Sequence, residues 1–149
     1  IDSNIYSAVL AHRVPFYIAI PKEHPLSSSK SPVKLKHFKD QPFIMSVRRN
    51  EPKYYDTILS IFQQSGFRPN IYQESDNIFT ILNLVTAGWG CAVVTELCLE
   101  YPGDGIVLKK IDNQTTIDIS IIWRKDEKSS LVNTFSSVLN ELLDEPITN

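Results

Sequence analysis

Short β-prone runs take turns with segments of helical period along this chain, and proline or glycine closes almost every one of them. Phe16 to Ile20 is an apolar run that Pro21 ends, and Ile5 to Leu10 before it makes either a separate short strand or one strand bent at Pro15. Val33, Leu35 and Phe38 suit one helical turn, and Pro42 to Val47 reads as a buried strand. Asn50 is a suitable N-cap, with Pro52 in the first turn, and Tyr55, Ile58, Leu59 and Phe62 recur at helical spacing up to Gly66. Ile71 and Tyr72 form a short strand. Ser75 or Asp76 then caps a helix from Ile78 to Val85 that is apolar nearly all round, so it should be packed on several sides before Gly88 stops it. Gly90 to Val94 is a small-residue strand, Thr95 can cap a short helix from Glu96 to Tyr101, and Pro102 to Gly105 is a turn. Ile106 to Leu108 and Ile117 to Trp123 add two strands. A last helix follows Ser129 or Ser130, with Leu131, Phe135, Val138 and Leu142 on one stripe and Pro146 beyond it. Such alternation favours an α/β sheet with right-handed crossovers over a helical bundle or a β-sandwich.

Charge and length narrow the function. A chain of 149 residues fits one compact domain, and 42% hydrophobic residues suffice for a core. Fifteen basic residues against seventeen acidic ones give a net charge of −2. That lacks the basic excess behind nucleic-acid affinity, so this piece alone should not grip DNA. No apolar stretch approaches the roughly 18 residues of a membrane span. Cys91 and Cys98 make no disulfide framework, and no signal peptide opens the chain, so a reducing cytoplasm is the expected compartment. The chain starts at Ile1 without an initiating methionine, as an excised piece would.

Catalytic patterns are missing. Gly88-Trp89-Gly90 follows a helix and lacks the third small residue, at Val93, of a dinucleotide fingerprint. His12, His24 and His37 have no metal-ligand spacing with either cysteine, and His24-Pro25 suits a turn. Glu51, Glu74 and Asp76 are not paired by their spacing, and no nucleophile elbow is present. Neither an enzyme, a metal site nor a cofactor is expected.

The order of motifs resembles the effector-binding domain of LysR-type transcriptional regulators. The matching pieces are Phe16 to Ile20 leading into His24-Pro25-Leu26, then Leu35-Lys36-His37-Phe38 before Pro42-Phe43-Ile44. Gly66-Phe67-Arg68-Pro69, the run from Leu84 through Gly88-Trp89-Gly90-Cys91-Ala92 to Val94, and the strand ending Trp123-Arg124 complete the set. The resemblance implies an α/β fold of the periplasmic-binding-protein type II class, with Rossmann-like subdomains, each around a central mixed sheet. Residues 15–118 would then be the second subdomain. Residues 1–14 and 119–149 would be crossover strands and a C-terminal helix of an incomplete first subdomain, and the winged helix-turn-helix would be absent from this chain. It implies a sensor for a small-molecule inducer, self-association through regulatory domains, and contact with DNA only through the missing N-terminal domain, with no membrane partner. A free-standing solute-binding module of a transport system is the alternative on the same fold.

In such a sheet ligands collect outside the carboxyl ends of strands, where helix N-termini present free N–H groups. Three junctions qualify, at residues 46–50, 73–77 and 94–96. Ser46, Arg48, Thr95 and Glu96 are the candidate ligand-binding residues, with Arg48 the partner for an anionic group. The plainer readings are a serine that merely ends a strand, arginines (Arg48 and Arg49) that are solvated, and a threonine that caps the next helix. The family usually carries proline where this chain has Thr95, which offers a hydroxyl instead. Trp89 could wall a pocket, but packing between helix and strand explains it as well.

Overall fold

The computed structural model describes residues 4–100 and 103–144; Ile1, Tyr101, Pro102 and Pro146 lie outside the described residues. In chain order the elements are β1 (Tyr6–Pro21), β2 (Pro42–Ser46), α1 (Pro52–Gln64), β3 (Asn70–Ser75), α2 (Ile78–Thr86), β4 (Ala92–Thr95), β5 (Ile106–Lys110), β6 (Thr116–Arg124) and α3 (Ser130–Asp144). Two 3-10 turns, Leu35–Phe38 and Glu96–Glu100, fill the connections before β2 and after β4. The chain forms two compact units in place of the single core that its length suggests: residues 14–116, and residues 1–13 with 117–149.

β1 is one continuous strand through Pro15. Its ladder with β4 starts at Phe16 and its ladder with β5 at Tyr17, so the missing N–H of Pro15 falls outside both. In the larger unit β1 runs antiparallel to β4 on one side and to β5 on the other, while β2 and β3 are parallel. A parallel bridge between Phe43 and Cys91 joins β2 to β4, with Ile44 N–H donating to the Cys91 carbonyl at 2.8 Å and Cys91 N–H to the Pro42 carbonyl at 2.9 Å. The strand order of this mixed sheet is therefore β3-β2-β4-β1-β5. Gly90 permits the join: a Cβ there would stand 2.5 Å from the Pro42 carbonyl oxygen.

Side-chain alternation assigns the two faces. Phe16, Phe43 and their neighbours pack under α1, where Phe43, Phe62 and Phe67 form an edge-to-face cluster with centroids 4.7 Å (Phe43 to Phe62) and 5.3 Å (Phe62 to Phe67) apart. On the opposite face Ala19, Ile44, Ala92 and Val94 pack with Ile81, Leu82 and Val85 of α2, and with Cys98. Both helices stop at glycines with positive φ, Gly66 at 84° and Gly88 at 79°, a conformation that side chains with a Cβ disfavour.

The helix starts differ from expectation. Asn50 does not cap α1; its N–H closes a turn onto the Val47 carbonyl at 3.2 Å, and the N-cap is Glu51, without a side-chain cap bond. Neither Ser75 nor Asp76 caps α2. Ser75 still belongs to β3, paired with Ser46, so the cap falls to Asn77, whose Oδ1 accepts from Phe79 N–H at 2.8 Å and Thr80 N–H at 3.3 Å. Nor is α2 enclosed on several sides. It buries Ile81, Leu82 and Val85 against one sheet face and leaves Phe79 exposed.

In the smaller unit β6 pairs with β1, Lys125 N–H donates to the Ile5 carbonyl at 2.9 Å, and Arg13 stands 3.6 Å from Asp118. α3 carries its apolar stripe in the open, with Leu131 78% and Phe135 56% exposed.

Candidate functional site

The strand order makes one place in the larger unit distinctive. β2 and β4 are parallel neighbours, yet the chain leaves β2 through α1 toward β3 on one side and leaves β4 through the Glu96–Glu100 turn toward β5 on the other. Where outgoing connections diverge between parallel neighbours, nothing folds over the strand ends and a crevice opens. Continuing the register from the Phe43–Cys91 bridge sets Ser46 level with Val94, one residue before Thr95, and the ladder of β2 with β3 sets Ser46 beside Ser75. Ser46, Ser75, Thr95 and Glu96 thus gather at one edge, on strands spaced about 4.8 Å apart.

The faces then divide them. Ser46 lies two residues beyond Ile44 and shares the α2 face; its Oγ is buried and has no hydrogen-bond partner. Glu96 reaches the same face, where its Oε1 accepts from the Tyr17 hydroxyl at 3.5 Å. Burial first, and then the Glu96 charge and hydrogen bond, push the Tyr17 phenol above its ordinary value, which keeps it a donor. Thr95 pairs with Phe16 and shares the α1 face. Its hydroxyl makes no hydrogen bond among the described residues, so it does not cap the following turn.

Arg48 already has a partner. It grips Asp56 of α1 with both arms, Nε to Oδ1 and Nη2 to Oδ2, each at 2.8 Å. The Arg48 hydrogen bond and charge hold the Asp56 carboxyl below the usual carboxylate range. Asp56 sits one turn into α1, where Arg48 meets it across the helix start, and that closeness is invisible in the spacing of the sequence. Arg49 is exposed, as its plainer reading expected. At the third junction Ser75 and Asn77 satisfy one another, Asn77 N–H donating to Ser75 Oγ at 3.2 Å and Ser75 Oγ to the Asn77 carbonyl at 3.4 Å. Trp89 is half exposed and meets Tyr72 edge-on at 6.2 Å, so it is not sandwiched between helix and strand.

Sequence reasoning missed Tyr54. Helical spacing places its neighbour Tyr55 in the core and leaves Tyr54 unremarked, but Pro52 at the helix start sets Tyr54 in the first turn, beside the strand ends. Its ring stacks on Phe16 with centroids 6.1 Å apart, and burial drives its phenol far above the ordinary value. It closes the α1 side of the edge that Thr95 borders.

A recess of about 320 Å³ lies at the opposite, amino edge, lined by Pro21, Pro42, Gly88, Gly90 and Cys91 together with Glu23, His24, Gln41, Thr86 and Ala87. The two edges differ in chemistry. At the amino edge the Gly90 backbone and Pro42 meet and the His24 Nε2 is buried without a partner, while at the carboxyl edge it is the Ser46 hydroxyl that lies buried without one, at the divergence of the strand connections. Among the described residues no three His, Cys, Asp or Glu side chains gather as a metal site requires.

Comparison with known proteins places these observations. The sequence model of the LysR substrate binding domain matches residues 2–144. The chain is similar to the HTH-type transcriptional regulator AlsR of Bacillus subtilis (strain 168), 30% identical over 131 residues, covering 87% of this chain and 43% of AlsR. It is also similar to the HTH-type transcriptional regulator TtuA of Agrobacterium vitis, 34% identical over 94 residues, covering 63% of this chain and 30% of TtuA. It thus spans less than half the length of either relative. Among solved structures, the BenM effector binding domain with its effector benzoate superposes with a TM-score of 0.80 at 19% identity, covering 99% of this chain and 69% of that one. CbnR, a LysR family transcriptional regulator, gives a TM-score of 0.79 at 19% identity, covering 91% of this chain and 47% of CbnR. At such identities the structures establish the shared fold.

Proposed function

Because this chain belongs to the LysR substrate binding domain family and has its type II periplasmic-binding-protein-like α/β fold, we propose that it is the inducer-sensing part of a DNA-binding transcriptional regulator. Residues 15–118 form the effector-binding subdomain, and residues 1–14 and 119–149 belong to the other one; the compact units at 14–116 and at 1–13 with 117–149 support that division. A small-molecule effector binds at the carboxyl edge of β2 and β4, with Ser46, Thr95 and Glu96 in contact and Tyr54 as a wall. The observation that carries this is the buried, unpartnered Ser46 Oγ at the one place where the strand connections diverge. An orphaned hydroxyl costs stability, and a ligand that hydrogen-bonds it recovers that cost.

The regulator works in the cytoplasm, touches DNA through a helix-turn-helix outside these 149 residues, and self-associates. The domain binds its effector without transforming it. A ligand can bias such a switch only by different affinity for its states.

A thermal-shift screen of this chain with aromatic acids, amino acids and sulfur metabolites, headed by benzoate, tests the proposal. A compound at a hundred times its Kd stabilises by about 2.7 kcal/mol, a rise of roughly 5–10 °C for a chain of this size. Ser46→Ala and Thr95→Ala should shrink that rise. Hits that ignore both substitutions would move the site elsewhere.

A further inference from the structure

The net charge of −2 conceals a segregated surface. Residues 30–39 hold four lysines and a histidine and no acid, so the rest of the chain is more acidic than the total suggests. Val33, Leu35 and Phe38 of this segment are buried, while Lys30, Lys34, Lys36, His37 and Lys39 stand exposed. The backbone between the lysines is tied down as well. Val33 N–H donates to the Lys110 carbonyl and Asp112 N–H to the Val33 carbonyl, each at 2.8 Å, and Lys110 N–H donates to Ser31 Oγ at 3.1 Å. Lys110 is itself exposed and adds a further positive charge beside the segment; Asp40 and Asp112 are acids that adjoin it. The result is a basic ledge on a fixed backbone.

The composition of the ledge selects its partner. A protein interface is built on apolar anchors and is depleted in lysine, yet Val33, Leu35 and Phe38 are turned inward. A carboxylate is best met by the two-armed guanidinium, and all five arginines lie elsewhere in the chain. Lysine ammonium groups are point charges that suit phosphate, and a surface that meets a nucleic-acid backbone is polar and positively charged. We propose that residues 30–39 with Lys110 form a contact for the phosphate backbone of double-stranded DNA, made without regard to base sequence. This rests on the reading of the chain as part of a DNA-binding regulator and adds a second contact to that of the helix-turn-helix. The acidic remainder of the chain keeps the grip weak when this piece is alone, in keeping with its overall charge. Once another domain of the same protein holds the DNA, the ledge meets phosphate at high effective concentration, and a weak contact then adds to the hold.

Amide chemical-shift mapping of this chain against a duplex of roughly 20 base pairs, at about 20 mM salt to lessen screening, tests the proposal. The amides of residues 33–39 and of Lys110 should move, those of α2 should not, and two duplexes of unrelated sequence should act alike. The logarithm of the affinity should fall against the logarithm of salt concentration with a slope of about −3, as neutralising three or four phosphates requires. Lys34→Gln combined with Lys36→Gln should weaken binding by roughly tenfold and flatten the slope by about 2. Lys128→Gln should change neither, and unchanged resonances of β1 and β4 in the free variants show that they fold. Polyglutamate of matched charge is the contrasting probe: tighter binding of it at the same residues would make the partner an acidic protein and overturn the proposal. So would silence of the ledge amides at low salt, a preference for one duplex sequence, or an affinity that ignores the double substitution. None of these touches the effector site, which the thermal-shift screen tests separately; a failed screen with the duplex still bound at the ledge would remove the effector reading alone.

Discussion

Helices α1 and α3 carry nearly the same instruction and receive opposite treatment. Each has an apolar stripe at helical spacing: Tyr55, Ile58 and Phe62 in one, Leu131, Phe135, Val138 and Leu142 in the other. In α1 those side chains are buried, with Ile58 and Phe62 at 1% and 0% exposure, because the Phe43 and Phe16 face of the sheet receives them. In α3 the whole stripe faces outward. Periodicity therefore states that a helix has a face to bury, and only the neighbouring element decides whether burial happens. The stability of the fold is concentrated where the partner is present.

Truncating the two stripes measures that contrast directly. Phe62→Ala opens a cavity inside the three-ring cluster and should cost about 3–5 kcal/mol, whereas Phe135→Ala should change the unfolding free energy of this chain by less than about 0.5 kcal/mol. Equal losses from the two, in urea titration, would break the comparison. Asn77→Ala removes the only side-chain cap seen on α1 or α2 and should cost about 1 kcal/mol. A loss as large as that of Phe62→Ala would mean that helix ends, more than packed faces, hold this unit together.

A subtler difference concerns His24. Its ring stacks on the buried Phe38 with centroids 5.4 Å apart, its Nδ1 accepts from Leu26 N–H at 3.1 Å, and burial holds its pKa below the ordinary 6.5. The folded state thus binds its proton less readily than the unfolded chain does. The unfolded state carries more protons as pH drops, so the stability His24 contributes is complete above pH 6.5 and is lost as pH falls through 6.5 toward the lowered folded value. His24→Gln should flatten that slope in melts taken between pH 7 and 5; an unchanged slope assigns it to other groups.

Ser46 inverts the case of α3, being a polar group buried without a partner where α3 is apolar and bare. Ser46→Ala should leave the unliganded chain as stable or up to about 1 kcal/mol more stable, while weakening ligand binding. Destabilisation of the free protein would show that the hydroxyl is satisfied in solution and has no need of a ligand.

Much of the fold was legible because its signals are local. Pro52, Gly66 and Gly88 bracket helices by backbone chemistry alone, and alternating strands and helices imply the α/β class. The readings that failed depended on distant partners. Asn50 looked like a cap until the turn onto Val47 used its N–H, and α2 looked enclosed because its composition does not reveal how many faces are covered. Ser46, Thr95 and Glu96 could be placed at strand ends from the sequence, since a strand end is a local event. That Arg48 closes on Asp56, that Tyr17 holds Glu96 from 79 residues away, and that Tyr54 walls the edge are tertiary facts without a local signature.

The most direct measurement is amide chemical-shift mapping of this chain, isotope-labelled, with the best compound from the thermal-shift screen. A ligand seated at the carboxyl edge should move the amides of Ser46, Val47, Thr95 and Glu96 first and leave those of Gln41, Gly88 and Gly90 at the amino edge in place. Perturbation confined to the amino edge, with the ends of β2 and β4 silent, would contradict the assignment of the effector site.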